Sequence, residues 1–208
     1  MRNKWKTLIA LFIAIQLTGI GVTLFIQANL GSDTITVFID GLAKTLNITL
    51  GFASRIYNVI ALIIAIVLSR KDIGWCTIVY ALCVGYAMDF YQTIITFENP
   101  SFLAGLVLVL LGQLCFVLTY TILILYREGM NQMDAIAYGI ARKSAKSYTF
   151  VRTFIDVMLL VIGYLLGGVV GIGSLITMLS TGFLVDKCVR ILKPILAKES
   201  NTMGYVDI

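Results

Sequence analysis

Residues 31–41 read GSDTITVFIDG, and residues 129–139 read GMNQMDAIAYG. Each stretch opens and closes on glycine, and the second lies 98 positions after the first (129 − 31). At that offset Ala43 falls on Ala141, Lys44 on Arg142, Phe52 on Phe150, Asn58 on Asp156 and Leu62 on Leu160. One residue is dropped near Arg70, and an offset of 97 then sets Gly74 on Gly171, Gly85 on Gly182 and Asp89 on Asp186. Gln16 and Gln113 also match at 97. Leucine and valine coincide often in apolar chains, but paired glycines and aspartates at fixed spacing point to duplication. The chain therefore reads as two membrane repeats, 1–97 and 98–198, followed by a polar tail at 199–208 expected to be disordered.

The composition fixes the solvent. Of 208 residues, 59% are hydrophobic and 13% charged, and the mean hydropathy is +0.95; soluble domains carry about 25% charged residues. The class is all-α membrane protein, with the lipid bilayer as its main partner and no room for a soluble domain. There are 16 Lys+Arg against 11 Asp+Glu. Basic residues beside apolar runs set orientation in a bilayer, and no basic stripe with interleaved aromatics suggests nucleic acid. Histidine is absent, and Cys76, Cys83, Cys115 and Cys188 form no CxxC pair. No metal site, cofactor or disulfide framework follows. The start MRNKWK precedes an apolar run longer than a signal-peptide core, so the reading is an uncleaved first helix.

In order, the expected spans are 6–28, 52–69, 74–96, Phe102–Tyr126, 150–166 and a last one from the Gly-rich turn 167–173 to about Leu192, ended by Pro194. The stretches 34–46 and 132–145 are too short to cross a hydrocarbon core of about 30 Å and too polar to face lipid. Both read as half-helices, the first capped by a side-chain oxygen of Ser32 or Asp33. Six transmembrane helices plus two half-helices put three spans in each half, so the second half is inverted. Crossing half-helices would instead give eight spans and parallel halves. Segment length favours six, and both schemes put the N- and C-termini in the cytoplasm.

Polar groups inside apolar segments need partners or a cavity. Asp89 and Asp186 each follow a glycine by one helical turn and are candidates for ion or proton coupling, with Asp156 and Asn58 as a second matched pair. Arg152 lies four residues before Asp156, which also fits a structural ion pair. The half-helix starts, with Ser32, Asp33, Thr34, Thr36, Asn131, Gln132 and Asp134, combine free backbone N–H groups with polar side chains and are candidates for substrate binding. Gln16 and Gln113 join that set, or bridge neighbouring helices. No nucleophile–base pair, Walker loop or carboxylate cluster suggests an enzyme.

The run from Gly31 to the Gly41–Leu42 pair, with the later Gly-x-x-x-Asp, resembles the YczE/YyaS/YitT group of bacterial integral membrane proteins, the YczE branch most of all. In that group a Gly-x-x-Pro-x-Asp run precedes a Gly-Leu pair. Here Thr34 and Thr36 stand at the proline and aspartate positions, while in the second copy Asp134 keeps the aspartate and Gln132 replaces the proline. The resemblance implies a bacterial cytoplasmic-membrane protein without an assigned substrate. The expected function is small-solute transport coupled to a cation or proton. The alternative is a substrate-binding or accessory subunit of a larger complex, with a homo-oligomer or a membrane partner in either case.

Overall fold

The computed structural model describes residues 4–97, 100–126 and 131–199, with side chains from 5 to 192 inside those ranges. Among the described residues there are eight α-helices: α1 Lys4–Ala28, α2 Thr34–Leu46, α3 Leu50–Ser69, α4 Trp75–Ile94, α5 Phe102–Tyr126, α6 Gln132–Ser144, α7 Tyr148–Leu165 and α8 Ile172–Glu199, with a 3₁₀ turn Arg70–Asp72 between α3 and α4. No strand occurs among the described residues. Glu98, Gly129 and the tail from 200 lie outside them.

Among the described residues, four helical stretches are long and apolar enough to cross a membrane: Trp5–Ala28, Leu50–Asp72, Phe102–Tyr126 and Tyr148–Leu165. The exterior is apolar, with Val67, Leu103, Leu165 and Leu179 exposed by 73%, 73%, 77% and 80%. Such a surface belongs in lipid. α4 and α8 match those four in length but carry more polar groups.

The contacts between helices fix their directions. Along α1 and α5, Gly21 meets Phe116 and Gly105 meets the Ala28 carbonyl, so the two helices are antiparallel. Thr7 and Leu11 share a cavity with Cys76, while Gly19 abuts Ala87, so α1 and α4 are parallel. Gly51, at the start of α3, abuts Gly85 and Asp89 near the end of α4. The end of α1 and the start of α3 therefore lie at the same end of the bundle, and α2 between them leaves and returns to that end. Its last turn meets the end of α7, where Lys44 Nζ donates to the Gly167 carbonyl at 3.2 Å and Thr45 Oγ1 to that of Leu166 at 2.9 Å. Its first turn lies halfway along α7, where Thr34 Oγ1 donates to Asp156 at 3.2 Å. α6 is placed the opposite way. It starts halfway along α3, where Gln132 Nε2 donates to Asn58 Oδ1 at 3.2 Å. It ends with Arg142 on Asp72 at 2.6 Å and on Ser69. At 13 residues each, both short helices span about 20 Å.

Small residues allow the close packing at the centre. A Cβ at Gly112 would stand 3.0 Å from the Gly21 carbonyl, and the Phe25 and Phe116 rings meet edge to face at 5.4 Å. Val22, Ile39, Leu50, Val84 and Val109 complete the main core.

Two local expectations need correction. Asp33 is the N-cap residue of α2, but its side chain makes no capping hydrogen bond, and Ser32 Oγ donates instead to the Asp33 carbonyl at 3.5 Å. Asn131, by contrast, caps α6, accepting from Met133 N at 3.1 Å. α8 continues past Pro194 to Glu199, since a proline inside a helix removes one hydrogen bond and crowds one carbonyl without forcing the chain out.

α2 and α6 end alike, with Asn47 and Ala145 both at φ 54°. Asparagine tolerates that left-handed conformation, but a Cβ there costs alanine about 1–2 kcal/mol. Ala145→Gly should therefore raise stability by about 1 kcal/mol, net of the extra freedom of unfolded glycine. A lower melting temperature in detergent would contradict the assigned turn.

Candidate functional site

The middle of the bundle holds a polar cluster assembled from three helices. α7 presents Tyr148, Arg152 and Asp156 at four-residue intervals, one above another on one face. The start of α2 brings Asp33 and Thr34, and the first turn of α6 brings Asp134. Arg152 is the hub: Nε donates to Asp156 at 3.0 Å and Nη1 to Asp134 at 3.2 Å. Tyr148 Oη donates to Asp134 at 2.8 Å. With all carboxyls ionised, Asp33, Asp134 and Asp156 outweigh the single guanidinium, and the cluster favours positive charge.

The cluster lines a cavity of about 400 Å³, walled on its far side by Thr177, Thr181 and Gly182 of α8. Asp33, Phe116 and Tyr120 separate it from a chamber of about 40 Å³, lined also by Thr36, Tyr57, Asn58, Asn131 and Gln132. Past Tyr80, Asn131 and Gln132 a third void of about 30 Å³ reaches Thr7 and Tyr126.

The structure thus gathers Asp33, Thr34, Thr36, Asn58, Asn131, Gln132, Asp134 and Asp156 around two adjoining voids. Ser32 is buried beside them. Gln113 serves as a bridge, with Nε2 donating to Thr181 at 2.8 Å and Ser180 at 3.2 Å. Gln16 faces an outer apolar groove with Phe12, Cys83 and Tyr86. The matched pair Asp89 and Asp186 is not brought to the site or to a common point. Asp89 accepts from Gly51 N at 2.8 Å and pairs with Arg55 at 3.4 Å, whose guanidinium lies 4.2 Å from the Tyr86 ring centroid. Asp186 is 77% exposed, with only Arg190 at 3.7 Å as its ion-pair partner among the described residues. The reason is local: the Arg55 position maps to Thr153 in the second half, so no cation is presented to Asp186 from α7. Sequence reasoning missed the hub role of Arg152 and the tyrosines Tyr57, Tyr120 and Tyr148. An arginine inside an apolar span was the available signal, since it demands more than one local partner.

The helices that flank the site pack unequally. α3 and α4 touch backbone to backbone: a Cβ at Gly51 would collide with the Gly85 carbonyl, and one at Gly85 with the Gly51 carbonyl. Between α7 and α8 lies the large cavity, and Gly182 has no atom within 4 Å of where its Cβ would be, among the described residues.

An apolar exterior around a charged, hollow centre defines a helical membrane protein with an internal polar site. The chain belongs to DUF6198, a family of unknown function, whose sequence model matches residues 5–190. An uncharacterised protein of Haemophilus influenzae is 25% identical over 183 residues, covering 88% of this chain and 83% of the relative. The uncharacterised protein YyaS of Bacillus subtilis is 26% identical over 198 residues, covering 93% and 96%. These findings agree with the YyaS and YczE type of family indicated by the glycine-bounded motif. No solved structure matches the chain significantly.

Proposed function

We propose that this protein carries a small solute across a bacterial cytoplasmic membrane by alternating access, coupled to a cation or proton. On this reading α1, α3, α4, α5, α7 and α8 cross the bilayer, α2 and α6 enter from opposite sides, and both termini are cytoplasmic. The end of the bundle holding Arg70, Lys71, Arg142, Lys143 and Lys146 carries the positive charge expected of the inner side. The reciprocal packing supports two inverted repeats: α2 lies on α7 as α6 lies on α3, and α1 lies on α4 as α5 lies on α8.

The observation that carries the proposal is the one departure from that reciprocity. α3 and α4 are closed by Gly51, Gly85 and Asp89, whereas the corresponding α7 and α8 are parted around the charged cavity. One sequence pattern in two arrangements suits a molecule that opens its site on one side at a time. In the opposite state α7 and α8 draw together at Gly182, and the α3–α4 contact opens.

Spin labels at Phe52 with Phe90, and at Phe150 with Lys187, report the two pairs. The expected result in lipid is two distance populations at each pair, with the two pairs shifting in opposite senses. Solute-jump currents on a supported membrane, over a panel of small amines, hydroxy compounds and alkali ions, should include one that Asp156→Asn abolishes and Asp186→Asn leaves measurable. A single population at both pairs together with no current from the panel would defeat the reading.

One feature favours the accessory-subunit alternative, an outer groove of about 550 Å³ between α1 and α4 lined by Leu8, Phe12, Gln16 and Phe90. A stoichiometric partner retained in mild detergent would support that alternative.

A further inference from the structure

Asp33 and Tyr57 line the small chamber, and each has a buried oxygen with no hydrogen-bond partner among the described residues, Asp33 Oδ1 and Tyr57 Oη. Asp33 lies beside the Thr36 hydroxyl and the first-turn amides of α2, and within electrostatic reach of Tyr57, Tyr80, Tyr120 and Asp156. Several other polar groups of the chamber are engaged. Asn58 Nδ2 donates to the Ser54 carbonyl at 2.8 Å and its Oδ1 accepts from Gln132, and the Thr18 hydroxyl donates to the Ala14 carbonyl at 2.9 Å. A carboxylate oxygen without a donor is costly in a low-dielectric interior, and the ligand that relieves it must bring a positive charge, a donor proton or both.

We infer that the chamber seats the ammonium group of a small primary amine lacking a carboxylate, between Asp33 Oδ1 and Tyr57 Oη, with the rest of the solute in the larger cavity. This rests on the transport reading of the same site and names its substrate class. The size fits, since about 40 Å³ admits an ammonium head and little more, whereas the adjoining cavity of about 400 Å³ holds the body of a small molecule. Phe116 and Tyr120, which line both voids, are apolar enough to border an alkyl chain, and tyrosine faces attract ammonium groups. An alkali ion wants a full shell of oxygens, and the two unpartnered ones supply only part of it. No group of three or more His, Cys, Asp or Glu fit for a metal ion occurs among the described residues. The excess of carboxylate around Arg152 in the larger cavity repels an acidic substituent, which excludes amino acids from the class.

The test is equilibrium binding to the full-length protein in detergent at constant ionic strength. The probes are butylammonium, 1-butanol, 4-aminobutyrate and sodium. Butylammonium should bind, and the three others should not compete with it. Asp33→Asn should weaken butylammonium by about tenfold or more, the loss of one charge-assisted contact, and Tyr57→Phe by about threefold, the loss of a neutral one. Asp186→Asn should bind as the native protein does, and Tyr57→Phe keeps the test decisive if Asp33→Asn does not fold. Three results would overturn the inference: no butylammonium binding, binding insensitive to both Asp33→Asn and Tyr57→Phe, or Asp33-dependent binding of sodium in place of the amine. Binding in detergent asks nothing of transport. Amine binding without membrane currents would therefore sink the transport reading alone, and currents without amine binding would sink this inference alone.

Discussion

Arg152→Met should destabilise the detergent-purified protein by about 3 kcal/mol and abolish solute-driven current. Removing the guanidinium strands Asp134 and Asp156 next to each other, and stranding one member of a buried pair costs about 3–5 kcal/mol. The side chains of Arg152, Asp134 and Asp156 are 24%, 35% and 20% exposed, which places the expectation at the low end of that range. For a chain of this size the melting temperature should drop by about 6–12 °C. Adding Asp156→Asn to Arg152→Met should recover part of the loss, because one of the two stranded charges is gone. Arg152→Lys should fall between, since an ammonium keeps the charge but cannot address two carboxylates in the fixed fork of a guanidinium. Unchanged melting in Arg152→Met would mean that the three groups do not meet as described.

The second large effect separates two glycines of equal standing in the sequence. Gly85→Ala should cost about 1–3 kcal/mol, because its methyl group meets the Gly51 carbonyl and the Arg55 side chain in a contact already closed. Gly182→Ala should leave the melting temperature within about 0.5 kcal/mol of native or raise it slightly, since the space is open and alanine is the better helix former. The same Gly182→Ala should remove the short-distance population between labels at Phe150 and Lys187, and the current with it. Equal destabilisation by the two substitutions would show that α7 and α8 are closed in solution. Native current in Gly182→Ala would remove this glycine from the transport cycle.

How much of this was legible in the sequence depended on whether a signal was local. The short helices were readable because Thr34–Leu46 and Gln132–Ser144 are bounded by polar breaks and carry charges on too few residues to span lipid. Both helix starts were readable as polar, but the gathering of Asp33, Thr34, Asp134 and Asp156 was not, since Asp156 read as a partner of Asn58. Arg152 was readable only as the neighbour of Asp156, because its second partner, Asp134, sits 18 residues earlier on another helix. Asp89 and Asp186 looked equivalent because each follows a glycine by one turn. Their surroundings differ through residues on a different helix, Arg55 in one half and Thr153 in the other, and spacing within a helix carries no information about that. The capping role given to Ser32 and Asp33 failed for a similar reason: composition marks the helix start, but the path of the preceding chain decides which oxygen faces the amides.

The open space at Gly182 also bears on how this gene can drift. Gly51 and Gly85 are held by collision in the shape described, so any side chain there is selected against on folding alone. At Gly182 that shape imposes no such constraint, and a lineage that used no other shape would lose the glycine within a few neutral substitutions. Relatives that keep glycine there, while varying at other exposed positions of α8, would be recording a second conformation through natural selection; relatives with varied residues at 182 would record its absence.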